Sequence, residues 1–308
     1  LFVKGKFWLT GAALAVSTLA LGGSVVALQA EDRPLTDFLV RDGVPWPAEG
    51  QAAAGVEDAG SLGVSGERTP VPIASVTKVM TAYVVLRDHP LTREADGPDI
   101  LIDQQAEDEA SRRDESTVWL RAGAEVSERD LLALMLVPSG NNVARLLARW
   151  NAGSEQAFVA KMNAAAAGLG MTRTTYTGAS GLEDSTTSTA EDQLRLLREV
   201  MRDEVFRDIV AQPSVAVRGV AGRYANTNTL LGHSGVVGVK TGSSTAAGGA
   251  LMWAAEASSP RVPGLILGVV LGQNTGEAPA AGLATALEVS KPFIAGLQQS
   301  LDRRSGTD

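Results

Sequence analysis

Pro72-Ile73-Ala74-Ser75-Val76-Thr77-Lys78-Val79-Met80 places a hydroxyl and an amine three residues apart at the head of an apolar run. Proline sits just ahead of a helix and not inside one, so Pro72 marks a start. Val76, Val79, Met80, Tyr83, Val84 and Leu86 then recur at helical spacing as far as Arg87-Asp88. On such a helix Ser75 and Lys78 share one face, a turn apart. Ser75 is expected at the helix N-terminus, where unpaired N–H groups and the helix dipole favour developing negative charge. A serine there, with an amine one turn on, is a candidate nucleophile with its own base. A buried helix that happens to carry a Ser and a Lys shows the same spacing, so the tetrad alone decides little.

The 308 residues are 44% hydrophobic and 20% charged, enough to bury a real core. Net charge is −8 and no basic run lies outside the extreme N-terminus, which argues against nucleic acid as a partner. There is no cysteine, and the only histidines are His89 and His233. That excludes disulfides and thiolate sites and argues against a catalytic zinc; neither a metal nor another cofactor is expected. Only six of the 27 basic residues are lysines: Lys4, Lys6, Lys78, Lys161, Lys240 and Lys291. Arginine stays protonated, whereas a lysine can be depressed into service as a base, so each lysine invites a reason.

Lys4 and Lys6 precede an uncharged run from Phe7 to Ala30 that is long enough to span a bilayer. It reads as a signal anchor or as a signal peptide, with Val25-Val26-Ala27 a passable cleavage site. Its length favours the anchor. In either case the rest of the chain is expected outside the cytoplasm. Residues 31–48, with Pro34, Pro45 and Pro47, read as a linker. Gly50 to Val56 and Ser61 to Val64 read as a hairpin. From about Leu91 to Ala211 the pattern is mostly helical, with Ser127, Ser154 and a Ser188-Thr189-Ala190-Glu191 capping box as helix starts. Val236 to Lys240, Gly248 to Ala255 and Leu265 to Leu271 read as consecutive antiparallel strands. A last helical stretch runs from about Ala280 to Leu301, with Pro292 expected to kink it and 302–308 left as a tail. The expected architecture is α+β: a five-stranded antiparallel sheet built from both ends of a domain spanning 49–301, with a helical insertion at about 91–211.

Two further motifs follow Ser75 and Lys78. Pro138-Ser139-Gly140-Asn141 falls in a break between helices and holds the only S-x-N in the chain. Lys240-Thr241-Gly242, the only K-T-G, is expected to end the first late strand. Each has a bland reading, as helix caps and as a strand running into a glycine turn. In the order S-x-x-K, S-x-N, K-T-G they are far more specific. The set resembles the penicilloyl serine transferases, and within them the low-molecular-mass D-alanyl-D-alanine carboxypeptidases. The resemblance runs from about Trp46 to Gly272 and includes Ser180-Gly181-Leu182 and Ser188-Thr189-Ala190. Asn142 stands where that family more often has Asp, and Ser244 where it usually has Thr. One helical stretch follows the matched region, where many members carry a β-rich C-terminal domain and an anchor.

The resemblance implies a β-lactamase/transpeptidase-like fold and a serine D,D-carboxypeptidase acting on peptidoglycan stem peptides, with β-lactams as covalent inhibitors. Ser75 would attack the carbonyl of the penultimate D-Ala. Lys78, neutralised by burial and by Lys240, would take its proton. Ser139 would relay a proton to the leaving amine, and Asn141 would hydrogen-bond the substrate's backbone amide. Lys240 and Thr241 suit the terminal carboxylate. The backbone N–H groups of Ser75 and Ser243, the latter just after Gly242, would form the oxyanion hole. The E-x-x-L-N segment of a class A β-lactamase does not occur between Ser139 and Lys240. An α/β-hydrolase elbow at Gly232-His233-Ser234-Gly235 fails on Val236 and on the lack of any later histidine. An endopeptidase or transpeptidase of the same family, and a slow membrane-anchored sensor of stem peptides or β-lactams, remain as alternatives.

Overall fold

The computed structural model describes residues 43–258, 262 and 264–305. The N-terminal apolar run, most of the expected linker and residues 306–308 lie outside the described residues. None of the described helices is long and apolar enough to cross a membrane.

One antiparallel sheet organises the molecule. Its strands are β1 (Gln51–Val56), β2 (Gly60–Ser65), β3 (Val236–Ser244), β4 (Gly248–Glu256) and β5 (Leu265–Gln273), in the order β2-β1-β5-β4-β3. The sheet closes between the two ends of the chain, where Gln51 pairs with Leu271 and Val56 with Ile266. Successive side chains point to opposite faces, and here both faces are buried. Ala53, Val239, Met252, Ala254, Leu267 and Val269 join the core of the helical layer. Ala52, Ala54, Leu251, Trp253, Ile266 and Val270 join a second core with Phe293, Ile294 and Leu297 of the last helix. Burial on both faces explains why the late strands read as near-continuous apolar runs rather than as alternation.

The helices are α1 (Lys78–Asp88), α2 (Gln104–Ala110), α3 (Glu128–Leu136), α4 (Asn141–Ala152), α5 (Glu155–Gly168), α6 (Ala190–Val200), α7 (Glu204–Val210) and α8 (Pro279–Ser305). α1 is central: Val79, Met80, Ala82, Val84, Val85 and Leu86 are all buried, and the helix packs on α3, α4, α5 and α6. Ser127 and Ser154 cap α3 and α5 as expected, accepting from the N–H of Asp130 and of Ala157.

Four expectations need correction. The cap lies one residue later, and no capping box forms: Thr189 caps α6 and accepts from Asp192 N–H at 3.2 Å, while the Asp192 carboxylate accepts from Arg173 N–H and Thr174 Oγ1. Ser188 is instead in a two-residue strand, Thr187–Ser188, paired with Val71–Pro72. Lys240-Thr241-Gly242 does not end β3, which runs on to Ser244 with Lys240 opposite Met252. α8 passes through Pro292 and continues to Ser305, so residues 302–305 are helix rather than tail. At the other end, Val44 is buried and the Trp46 ring packs on Phe293 at 4.6 Å, so the last residues of the expected linker dock on α8.

Candidate active site

Ser75 lies in a 3₁₀ turn, Ala74–Thr77, that runs directly into α1. It therefore stands at the N-terminal end of the helical segment, as expected, in 3₁₀ rather than α geometry. A 3₁₀ turn has three residues per cycle and stacks i on i+3, so Ser75 and Lys78 still share a face. Ala74 has φ of +45°, a left-handed conformation that costs a non-glycine residue roughly 1 kcal/mol. The turn is held from two sides by glycines. A Cβ on Gly181 would lie 2.0 Å from the Ala74 carbonyl oxygen, and one on Gly242 would lie 3.1 Å from the Ser75 nitrogen. A side chain at Gly181 would push its loop off the turn, and one at Gly242 would need the turn to give by a few tenths of an ångström.

Lys78 is fully buried. Its Nζ lies 2.9 Å from Ser75 Oγ, 2.6 Å from Asn141 Oδ1 and 2.8 Å from the Ser180 carbonyl oxygen. Burial holds the amine well below the usual lysine range, helped by the positive charges of Lys240 and Arg145 and opposed by Glu115 and Glu183. A neutral amine has two N–H groups and one lone pair. The carbonyl oxygens of Asn141 and Ser180 can only accept, so they take both N–H groups. The lone pair is then left for the hydroxyl of Ser75, which is the geometry of a nucleophile and its general base.

Ser139 and Asn141 flank Gly140 in the break between α3 and α4. Ser139 is 5% exposed and held at φ of +71°. Strain of this kind in a non-glycine residue gathers at functional sites. Asn141 opens α4, and both ends of its amide are engaged: Oδ1 accepts from Lys78, and Nδ2 donates to Glu115 Oε2 at 2.7 Å. One Nδ2 hydrogen remains for a substrate, so the contact with Lys78 adds to the expected role as a substrate ligand. Asn142 faces the other way and is fully buried. It accepts from Val118 N–H and donates to the carbonyl oxygens of Ala106 and Val118.

β3 is the outer strand of the sheet on this side and packs against the Ser75 turn. Lys240 is 1% exposed, and its Nζ donates to the Thr241 carbonyl oxygen at 2.9 Å. Burial pushes its amine down to about 7. Thr241 Oγ1 lies 2.6 Å from Thr227 Oγ1. Gly242 contacts the turn, and Ser243, opposite Gly249, is half-buried.

The fold thus gathers Ser75, Lys78 and Asn141 by direct contact and sets the strand of Lys240, Thr241, Gly242 and Ser243 against them. Three contributors are absent from the site residues expected from the sequence. The Ser180 carbonyl belongs to the backbone and leaves no mark on residue type, although Gly181 beside it does. Glu115 lies in a stretch of mixed charge, Arg112-Arg113-Asp114-Glu115, that reads as surface. Arg145 follows Asn141 by four residues on α4, and that same-face spacing was there to be read.

A family model described as D-alanyl-D-alanine carboxypeptidase matches residues 62–275. A D-alanyl-D-alanine endopeptidase of Pseudomonas aeruginosa is 40% identical over 189 residues, covering 60% of this chain and 57% of that protein. The D-alanyl-D-alanine carboxypeptidase DacB2 of Mycobacterium tuberculosis is 34% identical over 226 residues, covering 71% of this chain and 72% of that protein. The crystal structure of the Streptomyces K15 DD-transpeptidase superposes with a TM-score of 0.66 at 26% identity, covering 79% of this chain and 96% of that one.

Proposed function

The chain belongs to the D-alanyl-D-alanine carboxypeptidase family, and we propose that it removes the C-terminal D-Ala of peptidoglycan stem peptides through an acyl-enzyme on Ser75. The observation that carries this reading is the buried Lys78 amine, with both N–H groups taken by carbonyl oxygens and its lone pair left to Ser75. As Ser75 Oγ bonds to the carbonyl carbon of the penultimate D-Ala, its proton passes to Lys78 Nζ. The C–N bond to the terminal D-Ala breaks, and the leaving amine takes a proton relayed through Ser139. Water then attacks the ester and restores the Ser75 hydroxyl. The N–H groups of Ser75 and Ser243 would hold the developing oxyanion. A β-lactam would acylate the same serine and persist there. The N-terminal apolar run would carry the domain out of the cytoplasm, as a retained membrane anchor or as a cleaved signal.

The 40% identity to an endopeptidase supports a second reading, cleavage of cross-links within a peptide. The terminal carboxylate separates the two. Lys240 and Thr241 offer a cation and a hydroxyl to a free C-terminus. The test is D-Ala release from an acetylated Lys-D-Ala-D-Ala peptide compared with its C-terminal amide. The amide should lose about 2–5 kcal/mol of transition-state stabilisation in kcat/KM, as for truncating one side of a buried charge pair. Lys240 is cationic below about pH 7. The preference for the free acid should therefore be largest there and shrink as pH rises through that value. Equal rates at every pH would favour the endopeptidase.

A further inference from the structure

Glu115 belongs to none of the three motifs, yet it reaches the site through Asn141. It lies in the segment between α2 and α3 with its side chain 2% exposed. Its carboxylate accepts from Asn141 Nδ2 at 2.7 Å and from Arg145 Nη2 at 2.8 and 2.9 Å, and Arg112 Nη1 stands 3.2 Å away. Arg145 is anchored in turn by Glu109, whose Oε2 accepts from Nε at 2.9 Å. Burial pushes the Glu115 carboxyl up, but the hydrogen bonds from Arg145 and Asn141 outweigh it and hold it below the usual carboxylate range. Glu115 is thus a carboxylate, and a carboxylate only accepts. Asn141 must turn its NH₂ toward Glu115 and its carbonyl toward Lys78. Flipped, the amide would present N–H groups to Lys78 and claim the lone pair that Ser75 needs.

We propose that Glu115 is a positioning residue for acyl transfer: by accepting from Asn141 it fixes the amide orientation that aims the Lys78 lone pair at Ser75. This rests on the assignment of Ser75 as nucleophile and Lys78 as base. The charged groups facing Lys78 are Lys240 from β3, Arg145 from α4, Glu115, and Glu183 from the segment before α6. The first two favour the neutral amine; Glu115 and Glu183 favour the cation. Removing the charge of Glu115 therefore has two consequences of opposite sense. Acylation slows because Asn141 is free to flip, and its acid limb moves to lower pH because Lys78 deprotonates more easily.

The test is the second-order rate of labelling by a fluorescent penicillin from pH 5 to pH 10, with melting curves, for wild type and three variants. In Glu115→Gln the arginines hold the new carbonyl oxygen and turn its NH₂ toward Asn141. The plateau rate should fall on the order of 10²-fold, and the acid limb should move down by about one pH unit. Glu115→Asp keeps the charge and withdraws the contact, so its plateau should fall while its limb stays. Glu109→Gln removes the charge paired with Arg145 Nε and leaves every contact of Glu115, so it should lose thermal stability and keep both plateau and limb. Wild-type kinetics in Glu115→Gln or Glu115→Asp would overturn the proposal. So would Glu109→Gln reproducing both changes, which would make Glu115 a packing residue. A wild type that takes no label would instead overturn the acyl-enzyme reading, and this proposal with it.

Discussion

Lys78 shows why a chain that is otherwise arginine-rich keeps a lysine at this position. A guanidinium remains charged at any working pH and has no lone pair to offer, whereas a buried ammonium can shed its proton. The two carbonyl oxygens at Nζ take its N–H groups and leave the lone pair to the third neighbour, Ser75 Oγ. Lys78→Arg should therefore cost at least 10²-fold, and up to about 10⁴-fold, in acylation rate, the range for loss of a general base. The measurement is the labelling rate by penicillin, with a melting curve to show that the fold persists. A folded arginine variant within about tenfold of wild type would show that proton removal is not the task of Lys78. At this scale the motifs revealed residue types and order, and little about orientation. That Asn141 turns its carbonyl to Lys78 follows from Glu115, which no short pattern connects to it. The Ser180 carbonyl is equally silent, because every residue type carries one.

Among the elements, the caps and periods were readable to within a residue or two, and the differences have local causes. Ser188 and Thr189 both qualify as caps; pairing of Ser188 with Val71 leaves Thr189 at the helix entrance. K-T-G looked like a strand end because glycine weakens strands. Here Gly242 is inside β3, where the Ser75 turn approaches so closely that a Cβ would meet its backbone at 3.0–3.1 Å. The two-residue strand pairs were not visible at all, being too short to show a period. Asn142 ties elements together: its amide joins α4 to α2 and to the segment at Val118, donating to two carbonyl oxygens and accepting one N–H. An aspartate cannot reproduce that pattern, although it is the residue more common at this position in the family that the motifs resemble. Asn142→Asp should destabilise the domain by about 3 kcal/mol or more, since a buried carboxylate would face two acceptors. That corresponds to a fall in Tm of about 6–12 °C for a domain of this size. Calorimetry at pH 7 checks it; a variant melting within about 2 °C of wild type would mean that this segment repacks freely.

Over the whole molecule, a sheet assembled from both ends of the sequence was the part most open to prediction. Two early strands and three late ones flank a helical stretch, and β1 can complete one sheet with them only beside β5 or beside β3. The structure places it beside β5. That choice leaves β3 as the outer strand, with Lys240 and Thr241 available to the turn that carries Ser75. What composition could not convey is that both faces of the sheet are covered, by the helical layer on one side and by α8 on the other. Sheet, helical layer and turn together make Ser75 a nucleophile with Lys78 as its base. The most direct measurement is peptide mapping by mass spectrometry after incubation of the protein with a labelled penicillin. One covalent adduct is expected, on the peptide containing Ser75, abolished in Ser75→Ala while the fold is retained. An adduct on Ser139 or Ser234, or labelling that survives Ser75→Ala, would contradict it.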